Sequence, residues 1–191
     1  MPIKATELKA GVMVLHDGQL HLVLDTEHVK PGKGPAYVQA KMKNIETGTI
    51  RTNRINSSDK VEDVEVERRK MQYLYDGSGH GVGPFVFMDQ ESFEQTEIPS
   101  DILPREQSQY LIEGLEAMVT SFEGRILSVE LPASVELRVA ETTPQPRGAT
   151  VTNQSKDAVL ETGARVRVPA FIEQGQVVRV SPQTGEYLGK A

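Results

Sequence analysis

Short strand-like apolar segments, many alternating apolar with polar residues, dominate this chain. Val12-Met13-Val14-Leu15 is one such run, and Leu20 to Asp25 another, with Leu20, Leu22 and Leu24 on one face and His21, Val23 and Asp25 on the other. A period of two is the mark of a half-buried strand. Between them His16-Asp17-Gly18-Gln19 supplies the Asp-Gly pair of a tight hairpin. Ala36 to Lys43 and Ile50 to Ile55 repeat the pattern around a Glu46-Thr47-Gly48-Thr49 turn. Four or five short strands in the first third predict a small antiparallel barrel.

The pattern restarts twice. The charged stretch Ser57 to Asp63 marks a boundary, after which strands are expected at Val64–Arg68, Met71–Tyr75 and Phe85–Met88, the last two around a glycine-rich turn over 76–84. Ser100 to Met118 is the best helix candidate: Pro104 suits an early helical position, and Tyr110, Leu111, Leu115 and Met118 share a face at helical spacing. Val119–Phe122, Glu123-Gly124 and Arg125–Leu131 read as a hairpin. Past Pro132, strands are expected at Val135–Val139, Arg165–Pro169 and Gln176–Val180, with a loop over 142–148 and a turn at Pro182–Gly185. The expected fold class is all-β, in three small modules: 1–64, 65–128 and 129–191.

Charge agrees with a modular chain. The 191 residues carry 21 Lys and Arg against 27 Asp and Glu, a net of −6. The three modules carry +1, −7 and 0. That is not the profile of a protein held on nucleic acid by bulk positive charge. The chain has no cysteine, which excludes disulfides, thiolate metal sites and cysteine nucleophiles. No apolar run approaches the roughly 20 residues of a membrane helix, and the start of the chain has no apolar signal core. A cytoplasmic protein with no membrane partner is expected.

Chemistry-bearing residues are few. His16, His21, His28 and His80 lack metal-ligand spacing with carboxylates, and no serine sits in a nucleophile elbow. No catalytic residue, metal site or cofactor is expected. The most distinctive segment is Lys30-Pro31-Gly32-Lys33-Gly34-Pro35-Ala36, between two strand candidates. Pro31 fixes φ, while Gly32 and Gly34 permit positive φ on both sides of Lys33. The expectation is a narrow loop with one long cationic side chain near its tip. Ordinary turns use the same residue types.

Lys30-Pro31-Gly32-Lys33-Gly34 with Ala36 resembles the tip of the first domain of the elongation factor P family. Lys156-Asp157-Ala158, Glu161-Thr162-Gly163-Ala164, Val166 to Ile172 and Gly175 resemble that family's C-terminal signature. Tyr73-Leu74-Tyr75, Phe87-Met88 and Glu91 to Gln95 look like its middle domain, and Gly185-Glu186-Tyr187 like its closing turn. The matches span the chain in the family's order.

The resemblance implies a Tudor/KOW-like barrel followed by two OB-type barrels in an L-shaped, tRNA-like arrangement. It implies a monomeric, non-enzymatic factor that binds both ribosomal subunits between the peptidyl and exit tRNA sites and relieves stalling at consecutive prolines. The loop Lys30, Pro31, Gly32, Lys33 and Gly34 is then the peptidyl-tRNA contact. Lys33 is the residue that family members commonly extend by β-lysylation or aminopentanolylation (hypusine in the eukaryotic counterpart), so a lysine-modifying enzyme is an implied partner. Further RNA contacts are expected at Arg51 and Arg54, beside Lys41 and Lys43, and at Arg147, Gly148 and Thr150. Ala149 stands where many members have an acid, and the 76–84 turn is longer than usual. Both features motivate the alternative of a paralogue with a different client range. A general OB-fold RNA-binding protein is a further alternative, weakened by scarce aromatics and the acidic middle.

Overall fold

Asp17 and Gly18 both adopt left-handed backbone, φ 53° and 74°, as a two-residue type I′ hairpin turn requires. They join β2 (Met13–His16) to β3 (Gln19–Val29) in the first of two compact units, Met1–Glu67. The structure, a computed structural model, describes residues 2–144 and 154–191. The first unit is completed by β1 (Pro2–Lys4), a 3-10 turn (Ala5–Glu7), β4 (Tyr37–Asn44), β5 (Ile50–Asn56) and β6 (Lys60–Asp63). Their order in the sheet is β1-β6-β2-β3-β4-β5, every pair antiparallel.

Val14, Val23, Val38, Ala40, Met42, Ile55 and Val61 fill its core, capped by Ala5 and Leu8. The expected leucine face of β3 is only half buried, whereas Val23 is fully enclosed. Register explains the difference: His21 and Val23 stand opposite the buried Val14 and Met42, which puts the leucines on the other face, and a β-bulge follows. Val23 pairs with Met42 and Asp25 with Lys41, so Leu24 is an extra residue that breaks the alternation.

The second unit, Arg68–Ala191, holds two five-stranded sheets. The first contains β7 (Glu67–Asp76), β8 (Phe85–Asp89), β9 (Gln95–Ile98), β10 (Glu116–Phe122) and β11 (Arg125–Glu130), in the order β11-β10-β7-β8-β9. Residues 64–66, expected in a strand, precede β7 instead. Phe87, Ile98, Leu103 and Val119 centre its core, and the Tyr73 and Phe87 rings meet at 5.4 Å. The other contains β12 (Val135–Thr142), β13 (Ser155–Leu160), β14 (Arg165–Pro169), β15 (Val177–Val180) and β16 (Tyr187–Lys190), in the order β14-β13-β12-β15-β16. Among the described residues the fold is all-β with one short α-helix.

That helix, α1 (Arg105–Ser108), is far shorter than the 100–118 expected, and Met118 lies in β10. The apolar residues that share a helical face in sequence serve different cores. Tyr110 inserts into the C-terminal core, Leu111 into the middle one, and Leu115 packs against both. Consecutive residues here anchor two different cores from a non-helical segment, so tertiary packing overrides the local pattern. Gln183 Nε2 adds hydrogen bonds to the carbonyls of Leu131 (3.0 Å) and Pro132 (3.2 Å), which tie the two sheets of this unit together.

Candidate functional site

The β3–β4 ladder runs out to the pairs His28–Val38 and Val29–Tyr37, and residues 30–36 bridge the gap. Lys30, Gly32, Lys33, Gly34 and Pro35 are exposed, while Pro31 and Ala36 are half buried. Gly34 takes φ +112°, and a Cβ built there would lie 3.9 Å from Pro31 Cγ, so the chain turns back toward the proline ring. Gly32, which permits positive φ, does not use it. One positive-φ residue suffices to reverse the chain here. Among the described residues, no hydrogen bond or ion pair holds the side chains of Lys30 or Lys33.

Two contacts brace the loop's exit. Ser57 N donates to Ala36 O at 3.0 Å, fastening it to the end of β5. The Arg54 guanidinium lies over the Tyr37 ring, 3.8 Å from its centroid, a cation–π arrangement that stiffens both side chains. Sequence reading offered Arg54 as an RNA contact and missed Tyr37. The two become neighbours only through the register that sets Tyr37 opposite Asn56 and Gln39 opposite Arg54.

Arg51 does not join Arg54. Pairing sets Arg51 opposite buried Met42 and Arg54 opposite Gln39, so the two arginines project from opposite faces of β5. Arg54 shares its face with Lys41 and Lys43. Arg51 instead lines a pocket of about 260 Å³ with His16, His21 and Asn44, at the end of β4 away from the loop. Arg147, Gly148, Ala149 and Thr150 lie outside the described residues.

The 76–84 turn is more organised than its composition suggests. The Asp76 carboxylate accepts hydrogen bonds from the backbone N–H groups of Ser78 (3.2 Å), Gly81 and Gly83 (3.0 Å), and from the Ser78 hydroxyl at 2.9 and 2.8 Å. Partial desolvation pushes the Asp76 pKa up. The opposing hydrogen bonds, led by Gly81 N–H, outweigh it and hold the carboxyl below its ordinary range.

No group of three or more His, Cys, Asp or Glu among the described residues could hold a metal ion. No described helix is long and apolar enough to cross a membrane. The arrangement offers positioning: a braced hairpin presenting an exposed cation.

Family models match the chain in three consecutive stretches. They are the elongation factor P KOW-like domain over residues 4–61, the elongation factor P OB domain over 66–129 and the elongation factor P C-terminal domain over 135–190. Among solved structures, the chain is similar to eukaryotic translation initiation factor 5A from Methanococcus jannaschii. That likeness has a TM-score of 0.52 and 25% identity over 69% of this chain and 92% of that one. A translation initiation factor eif-5a family protein from Naegleria fowleri ATCC 30863 matches with a TM-score of 0.50 and 19% identity, over 69% of this chain and 98% of that one. The second is a likeness of fold alone.

Proposed function

This chain belongs to the elongation factor P family of translation factors, and from that premise we propose that it binds the ribosome between the peptidyl and exit tRNA sites and promotes peptide-bond formation at consecutive prolines. The observation that carries the reading is Lys33, exposed at the tip of a loop braced by the Arg54–Tyr37 stack.

The mechanism is positional. Proline is a poor acceptor because its ring constrains the attacking amine, and the ribosome catalyses largely by alignment. A cation beside the CCA end of peptidyl-tRNA holds the sugar-phosphate backbone and removes unproductive poses. Nothing in this step asks the factor for a general acid or base. Lys30, Pro31, Gly32 and Gly34 shape the tip, Lys33 makes the contact, and a dedicated enzyme extends Lys33. Modules 1–64, 65–128 and 129–191 divide the work of a monomeric cytoplasmic factor that touches both ribosomal subunits. Arg54, with Lys41 and Lys43 on its face, adds a secondary RNA contact. Arg51 belongs to a separate contact on the other face, and Arg147, Gly148 and Thr150 to one in the C-terminal module.

A second reading, a paralogue with its own client range, is favoured by the Asp76-centred turn, which is a built feature rather than slack insertion. Ribosome profiling of a deletion strain separates the two. Pauses at ordinary diprolyl and triprolyl motifs support the main reading, and pauses confined to other motifs support the second. Peptide-level mass spectrometry of the native protein checks the modification: a mass addition on Lys33 is expected, and its size names the chemistry.

A further inference from the structure

A groove of about 640 Å³ opens in the second unit, where β10 and β11 meet the start of β12. Leu115, Met118 and Pro132 supply an apolar floor. Met118 is 37% exposed, although its strand neighbours Ala117 and Val119 are buried in the core behind it.

The rim is acidic. Glu130 stands directly across the ladder from Met118, and Glu113 flanks the same groove. Both are exposed, and neither has a cationic partner among the described residues. Glu136 also lines the groove, across its strand pair from Arg179. Lys70 is the one basic residue of the lining, and Glu116 already occupies it as an ion pair. Glu116 accepts a further hydrogen bond from Gln90 Nε2 at 2.9 Å. That bond, then the one from Lys70, holds its carboxyl below the usual range. Lys70 is thus already paired, and the remaining charge of the groove is negative.

This combination selects a partner. A nucleic-acid backbone is repelled by the carboxylates. A neutral apolar segment would desolvate them with nothing in return. Lysine and arginine satisfy both parts, laying their methylenes on the apolar floor while their charged heads reach the rim. We propose that the groove docks an extended lysine- and arginine-rich segment of a partner protein. The inference concerns a different surface from the Lys33 loop and does not depend on what that loop does.

The test uses the full chain with ¹³C-labelled methionine methyls and a short synthetic peptide that interleaves lysine and arginine with leucine and glycine. The Met118 methyl signal is expected to shift saturably, while those of the buried Met13, Met42 and Met71 stay in place. Binding should weaken as salt rises. The exposed double variant Glu113→Lys/Glu130→Lys should lose about tenfold or more in affinity, because each carboxylate becomes a repulsion. A peptide with aspartate in place of the basic residues should not bind. No Met118 shift in the wild-type protein, or undiminished binding by the double variant, overturns the proposal. An oligouridylate that moves the same methyl also overturns it, by making the groove an RNA surface.

Discussion

Lys33 has almost nothing to lose structurally. It is exposed, and among the described residues its side chain has no hydrogen-bond or ion-pair partner. Lys33→Ala should change stability by no more than about 0.5 kcal/mol while abolishing relief of proline stalls. Chemical denaturation and a diprolyl reporter measure the two effects separately. Arg54 differs because its guanidinium is stacked on Tyr37. Arg54→Ala should cost about 0.5–1 kcal/mol and weaken rescue without abolishing it, by letting the loop's exit move. Full rescue by this variant would show that the brace is irrelevant. The tip is legible in sequence because its residues are consecutive, whereas the brace is not, because register brings its halves together. The three-residue spacing of Arg51 and Arg54 already sets them on opposite faces of any strand. What only the structure shows is that Arg54 takes the face of Lys41 and Lys43, and Arg51 a pocket at the strand's other end.

Elements are readable where backbone conformation is local. Asp17-Gly18 and Glu123-Gly124 both make hairpin turns with two residues at positive φ, a demand that side-chain chemistry announces. The segment after Pro104 was not readable, because the destinations of Tyr110 and Leu111 in two different cores leave no trace in a helical periodicity. The 76–84 turn lies between these cases. Its glycines announce a turn, but the reach of the Asp76 carboxylate to Ser78, Gly81 and Gly83 does not show in sequence. Asp76→Ala should speed hydrogen exchange at the Gly81 and Gly83 amides and leave β12 and β13 unaffected. The folded carboxyl pKa is depressed, so its contribution is complete above the unfolded value of about 3.9 and is lost as pH falls through the lower folded value. NMR titration of those two amides should therefore give midpoints below about 3.9. Midpoints at or above that value would contradict the hydrogen-bonding account.

At the scale of the molecule, the chain forms two compact units, and the second is held together by a residue that crosses between its sheets. Tyr110 is 2% exposed within the C-terminal core. It packs so close to Gly185 that a Cβ there would lie 2.8 Å from Tyr110 Oη. Tyr110→Ala should destabilise the second unit by about 3–5 kcal/mol, the range for losing a large buried aromatic. Amide exchange should accelerate in β12 and β13 but not in β4 of the first unit; uniform acceleration would mean that the units do not unfold separately. Three small β modules were foreseeable from periodicity and turn spacing, but that the second and third share one compact unit was not. The central claim is that Lys33 promotes proline transfer by positioning peptidyl-tRNA. Its most direct test is the rate of peptide-bond formation on a triprolyl template in a reconstituted translation system. The account predicts that the wild-type factor raises that rate by about tenfold or more, equivalent to ~1.4 kcal/mol of barrier, and that Lys33→Ala leaves it at the factor-free level. Equal acceleration by both proteins, or by neither, would contradict it.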